Sequence, residues 1–169
     1  EFLSCIPGSV GGSITMNSGC YGEDISKIFL SLKGMNLKGE IIHLNRDQIK
    51  FFYRGNNLKN DLIILNATFK GKKSDKKKIQ EKQEYLVNKK KESQPTRVKT
   101  CGSTFKNPIN NKKAWELIHL SDCSDLKVGG ASISEKHNNF FINNGNASSS
   151  DIESLINNVK ERVFEKTGI

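Results

Sequence analysis

One stretch limits the possible architectures more than any other. Between Lys70 and Glu92 the chain carries ten lysines and four acidic residues, a net charge of +6. A core cannot take up such a run, because each unpaired charge removed from water is costly. Its ordinary meaning is a solvated face. The pattern within it predicts a helix over 75–91. Ile79 and Leu86 lie two turns apart, Ser74 stands where it can cap the start, and Ser93-Gln94-Pro95 stops the helix. A solvated helix at this point divides the chain into a lobe before it and a lobe after it.

The two lobes differ in pattern. Before the helix, strand-like runs stand at Ile28-Phe29-Leu30-Ser31-Leu32, Ile41-Ile42-His43-Leu44 and Leu62 to Phe69, with turn chemistry at Leu37-Lys38-Gly39 between the first two. After it come a polar loop from Thr100 to Pro108, a short helix around Trp115 and Leu117, and strands near 128–133 and 139–142. Trp115 is expected in the core. Ile152, Leu155, Ile156, Val159 and Val163 then repeat as one helical apolar stripe, and Ser150 with Glu153 has the spacing of a capping box. The class is α+β, in two lobes joined by the basic helix.

The whole chain carries 27 basic and 18 acidic residues, a net charge of +9. A nucleic-acid-binding module would interleave aromatics with its cations, and the lysine-rich helix offers only Tyr85. No run reaches the roughly 18 apolar residues of a membrane helix. The start, Glu1 to Gly8, has neither the basic nor the apolar region of a signal peptide. Cys5, Cys20, Cys101 and Cys123 are far apart, which suits free thiols in a reducing cytoplasm, each a small half-buried hydrophobe, better than a metal site.

Four segments hold candidate chemistry. In Ile6-Pro7-Gly8-Ser9-Val10-Gly11-Gly12-Ser13, glycines let backbone N–H groups approach an anion such as a pyrophosphate, but the spacing is neither a Rossmann fingerprint nor a P-loop, and a plain structural turn is the competing reading. Ser103, between Gly102 and Thr104, is either a turn residue or a hydroxyl placed to deliver a proton. No Ser-His-Asp order accompanies it. Arg54 follows Tyr53 before Gly55-Asn56-Asn57, and is either a surface arginine or a bidentate grip on a carboxylate. Lys136-His137-Asn138-Asn139 precedes a strand and either offers polar groups to a ligand or is a polar approach to a hairpin.

Taken in order, "EFLSCIPGSVGGSITMNSGCYG", "FFYRGNN", "CGSTFKNP", "LKVGGASISEKHNNFFINNGNA" and "VKERVFEKTGI" resemble successive blocks of the UDP-N-acetylenolpyruvoylglucosamine reductase (MurB) family, from Glu1 to Ile169. The form of the blocks is similar to the second type of that reductase. The resemblance implies the C-terminal part of a vanillyl-alcohol-oxidase-type (PCMH) FAD-binding domain at 1–72, a connecting basic helix at 73–93 and a small α+β substrate-binding domain at 94–169. It implies FAD as cofactor, NADPH as hydride donor, and reduction of an enolpyruvyl UDP-sugar to UDP-N-acetylmuramate for peptidoglycan synthesis in the cytoplasm. By the same resemblance Ser103 gives the proton to C2 and Arg54 stabilises the enolate. Asn107 holds the UDP moiety, and Lys136 or His137 lies near a further substrate contact. Gly8, Ser9, Val10, Gly11, Gly12 and Asn17 approach FAD.

The resemblance also implies a third catalytic residue, a glutamate beyond Ile169, and an amino-terminal portion of the FAD lobe before Glu1. A fragment without them is expected to bind FAD poorly and not to turn over. The alternatives are another FAD-dependent oxidoreductase of the same flavin fold, which explains "IPGSVGG" but not "CGSTFKNP", and a basic nucleic-acid-binding module.

Overall fold

The structure, a computed structural model, describes residues 1–109 and 111–169. The chain forms two units, Glu1–Lys89 and Lys90–Ile169.

In the first unit a short helix α1 (Val10–Thr15) is followed by the paired strands β1 (Gly19–Cys20) and β2 (Glu23–Asp24). An antiparallel sheet then takes the order β4-β3-β7, from β3 (Phe29–Met35), β4 (Ile41–Asn45) and β7 (Ile63–Phe69). These are the three apolar runs of the sequence. The turn between β3 and β4 forms where turn chemistry stands, with Asn36 Oδ1 accepting from the Lys38 and Glu40 N–H groups at 2.9 and 3.0 Å. A minimal hairpin joins β5 (Phe51–Phe52) to β6 (Gly55–Asn56). The core is Ile14, Ile25, Phe29, Leu32 and Ile49. Phe29 sits edge-on to Phe51 and Phe69, with centroids 5.3 and 6.2 Å apart.

The basic helix α2 spans Lys76–Ser93 and buries only Leu86, as a solvated lysine-rich helix must. Its cap differs from the expected one. Asp75, not Ser74, accepts the Lys77 and Lys78 N–H groups, at 2.9 and 3.3 Å. A carboxylate there also complements the helix dipole.

The second unit is built on the antiparallel sheet β10-β9-β8, from β8 (Lys127–Val128), β9 (Ala131–Ile133) and β10 (Phe141–Asn143). The apolar run near 128–133 is therefore two short strands and a tight turn. All three residues of β9 are buried. Helices α3 (Ala114–Leu120) and α4 (Ser149–Thr167) supply Leu117, Ile118, Leu155, Val159 and Val163 to a core shared with Cys123, Ala131, Ile133 and Phe141. The apolar stripe of α4 is thus the buried face, but its capping box sits two residues earlier than expected. Ser148 Oγ accepts from Asp151 N–H at 3.1 Å, and Asp151 accepts from Ser148 N–H at 2.8 Å.

Two burial expectations fail. Trp115 is 39% exposed, because it stands on the face of α3 turned away from that core. Cys101 is exposed, and only Cys123 is fully buried. Among the described residues no helix is long and apolar enough to cross a membrane.

Candidate functional site

The glycine segment is a loop that turns into a helix. Ser9 takes the cap position of α1, and its Oγ accepts from Gly12 N–H at 3.0 Å. Gly8 has φ +145°, a conformation side chains avoid, and a Cβ there would meet nothing within 4 Å. Gly11 is different: a Cβ would stand 3.6 Å from Ile64 Cβ, so α1 lies close on β7. Gly8, Ser9, Val10 and Gly12 are exposed and Gly11 half-buried. The result is a bare, solvent-facing turn at a helix start, where the first N–H groups have no intrahelical acceptor.

Arg54 occupies the two-residue turn between β5 and β6 at φ +54°, a costly conformation for a residue with a Cβ. Its Nη2 donates to Gly19 O at 2.9 Å, and its guanidinium lies 5.1 Å from the centre of the Tyr53 ring. Two asparagines fasten this hairpin to the end of α1. Asn17 Nδ2 donates to Phe52 O at 3.1 Å while its Oδ1 accepts from Ser26 N–H at 3.0 Å. Asn56 Nδ2 donates to Ile14 O and Thr15 O at 2.8 and 3.1 Å, and its Oδ1 accepts from Leu58 N–H at 2.8 Å. Asn17 is 4% exposed with both polar ends engaged, so its amide is a strut of the hairpin. The glycine turn, Asn17 and Arg54 therefore form one cluster in the first unit.

In the second unit Ser103 is exposed and its backbone bridges to Phe140. Just before it Gly102 sits at φ +87°. Just after it the chain is clamped. Thr104 N–H donates to Asn139 O at 2.8 Å, Phe105 N–H to Asn139 Oδ1 at 2.9 Å, and Asn139 Nδ2 to Phe105 O at 2.9 Å. Asn107 Oδ1 accepts from Ala114 N–H at 3.0 Å and so ties the loop to the start of α3.

Lys136 and His137 have separate surroundings. Lys136 is exposed, donates to Lys91 O at 2.6 Å, and lines a cleft of about 800 Å³ with both polar and apolar walls, among them Ser124, Asp125, Lys127, Glu135 and Ile142. His137 lies against Phe140 and Trp115, with centroids 4.8 and 6.2 Å away. Burial among these rings holds its imidazole below the usual value. Its Nδ1 accepts from Asn139 N–H at 3.2 Å. Ser103 and His137 thus converge on Phe140 and Asn139, whereas Lys136 belongs to the cleft. The sequence pointed to Asn139 only as one of several polar groups before a strand and to Asn56 not at all as a support, whereas in the structure both fix candidate loops in place.

Residues 94–169 match the family model described as UDP-N-acetylenolpyruvoylglucosamine reductase, C-terminal domain. Over its whole length the chain is 46% identical to the UDP-N-acetylenolpyruvoylglucosamine reductase of Pelagibacter ubique and 44% identical to that of Rickettsia prowazekii, and it spans 57% of each. Residues 94–169 belong to the C-terminal domain family of UDP-N-acetylenolpyruvoylglucosamine reductase, and the whole chain is similar to those reductases. A crystal structure of the reductase (MurB) from Thermus caldophilus matches with a TM-score of 0.84 at 30% identity, covering 94% of this chain and 59% of that one. The mixed helix-and-strand fold is thus that of MurB proteins.

Proposed function

We propose that the protein containing this chain is a cytoplasmic, FAD-dependent and NADPH-linked reductase, which converts the enolpyruvyl ether of UDP-N-acetylglucosamine to UDP-N-acetylmuramate for peptidoglycan synthesis. One observation carries the reading: all of this chain aligns with proteins of that name, at 43–46% identity for the relatives from Pelagibacter and Rickettsia typhi.

The residues present suit FAD. A pyrophosphate needs backbone N–H groups on an accessible turn, and the loop from Gly8 to Gly11 is accessible, with open space at the missing Cβ of Gly8, while the Gly12 N–H is taken by Ser9 Oγ. Gly8, Ser9, Val10 and Gly11 would hold the phosphates through their backbone. When bound, FAD supplies the hydride, drawn from NADPH, that reaches the enolpyruvyl double bond.

The chain's own side chains do the rest. Arg54 carries a planar guanidinium with five N–H donors, of which Gly19 O takes one and so orients the fork. It grips the substrate carboxylate and stabilises the negative charge that grows there once C3 has accepted hydride. Ser103 delivers the proton to C2 from an exposed hydroxyl on a clamped loop. Asn107 orients the UDP portion from the end of that loop. Lys136 contributes a cation to the cleft, and His137, kept neutral by burial, offers a hydrogen bond rather than a charge.

The test uses the full-length gene product, loaded with FAD and free of oxygen. Its yellow colour bleaches with NADPH and returns with the enolpyruvyl substrate. In Ser103→Ala, bleaching is unchanged while the return of colour slows by about 10²–10⁴-fold, the usual worth of a positioned acid. A yellow protein indifferent to that substrate moves the assignment to another flavin-dependent oxidoreductase, and a colourless one ends it.

A further inference from the structure

We infer that Asn139 is a positioning residue for proton delivery by Ser103. The inference rests on the reading of Ser103 given above. Asn139 is 4% exposed and lies 36 positions along the chain from Ser103, with no place in the reaction as so far described. Its carboxamide closes a two-point ring with one peptide segment, accepting from Phe105 N–H and donating to Phe105 O, both at 2.9 Å. Its own carbonyl accepts from Thr104 N–H at 2.8 Å. Three hydrogen bonds from one residue therefore fix the two residues that follow Ser103.

The need for such a clamp lies on the other side of Ser103. Gly102, at φ +87°, takes a conformation that a residue with a Cβ rarely adopts, so local preference alone does not fix the chain entering Ser103. Thr100 Oγ1 accepts from Gly102 N–H at 3.3 Å, a single long bond. The bridge of the Ser103 backbone to Phe140 and the contacts of Asn139 to Thr104 and Phe105 together set the direction of the Ser103 hydroxyl. Phe105 is itself seated on the core, edge-on to Phe141 with centroids 5.9 Å apart. Asn139 joins that seat to the peptide plane and leaves the loop one orientation. A proton donor displaced by about 1 Å can lose on the order of a hundredfold in rate. The Nδ1 of His137 accepts from the Asn139 N–H at 3.2 Å, which fixes the backbone of the clamp in turn.

The decisive experiment is a double-mutant cycle in the FAD-loaded full-length protein, using Ser103→Ala, Asn139→Ala and both together, with Asn139→Asp as a variant that keeps the acceptor for Phe105 N–H. Asn139→Ala is expected to leave FAD absorbance and bleaching by NADPH unchanged and to slow substrate reduction about a hundredfold. In the Ser103→Ala background the same change should cost less than about threefold, since there is no donor left to aim. Asn139→Asp should fall between wild type and Asn139→Ala. Hydrogen exchange provides a readout independent of turnover: the Thr104 and Phe105 amides should exchange faster in Asn139→Ala, while those of α4 stay protected.

Equal slowing of bleaching and substrate reduction, or a full additive loss in the Ser103→Ala background, overturns the inference while leaving Ser103 as donor. An unchanged substrate rate in Ser103→Ala alone removes the donor, and the inference with it. If neither Asn139 variant retains FAD, Asn139 is a folding residue and the inference is wrong.

Discussion

The two units hold their candidate reactive groups by opposite means. Arg54 is placed by strain: a bulky residue is forced to φ +54° in a two-residue turn, and the turn is tied down by Asn17 and Asn56. Ser103 carries no such strain and is placed by a clamp, with Gly102 at a positive φ on one side and Asn139 holding the other. The supporting structure differs as well. The first unit has a five-residue core beneath a sheet whose middle strand alternates buried and open residues, whereas the second packs a nine-residue core around a strand buried throughout. A charged fork can tolerate a strained backbone because the guanidinium reaches its target over a long side chain. A serine hydroxyl, one bond from Cβ, takes its position from the backbone itself.

Substitution can break this contrast at several places. The largest effect is expected in the cores. Leu155→Ala should cost about 2–5 kcal/mol, and Ile25→Ala less, because the buried cluster around it holds five residues against nine. Urea unfolding with linear extrapolation measures both, and equal costs would remove the difference between the two cores. Next comes the strain at Arg54. Glycine there should be more stable than alanine by about 1 kcal/mol, since only alanine retains the left-handed penalty. At Ser103 the two replacements should lack this advantage for glycine. A lower melting temperature for Arg54→Gly than for Arg54→Ala would count against strain at the hairpin.

The smallest effect is the titration of His137. Burial lowers its affinity for a proton in the folded state, so as pH falls below 6.5 the unfolded chain binds the proton first. Stability contributed by the neutral ring is therefore complete above that pH, declines below it, and levels off once the folded state is protonated too. Melting curves taken between about pH 8 and pH 5 should show this decline, and His137→Phe should flatten it. An unaltered slope would mean that other groups govern the acid limb.

Periodicity carried much of the fold into view. The strands of the first sheet and the buried face of α4 stand where apolar spacing places them, because these elements bury one face and their side chains must alternate accordingly. Capping was less legible. Ser148, Ser149 and Ser150 are consecutive, and both Ser148 with Asp151 and Ser150 with Glu153 have the spacing of a capping box. Only the path of the incoming chain decides between them. At the site, the resemblance named Ser103 and Arg54, but nothing local marked Asn56 and Asn139 as their supports. Their hydrogen bonds reach residues 34 to 42 positions away, and an asparagine bonded to distant backbone looks in sequence like any asparagine of a turn. Asn17 shows the same limit from the other side: it stands beside the glycine loop in sequence, yet its amide faces the hairpin.

Cys101 stands two residues before Ser103 and is exposed, while Cys5 and Cys20 are half-buried and Cys123 is enclosed. Access alone therefore ranks the four sulfurs. A limiting amount of a maleimide dye should attach first at Cys101, without any introduced cysteine, and its fluorescence would follow the serine loop as substrate arrives and product leaves.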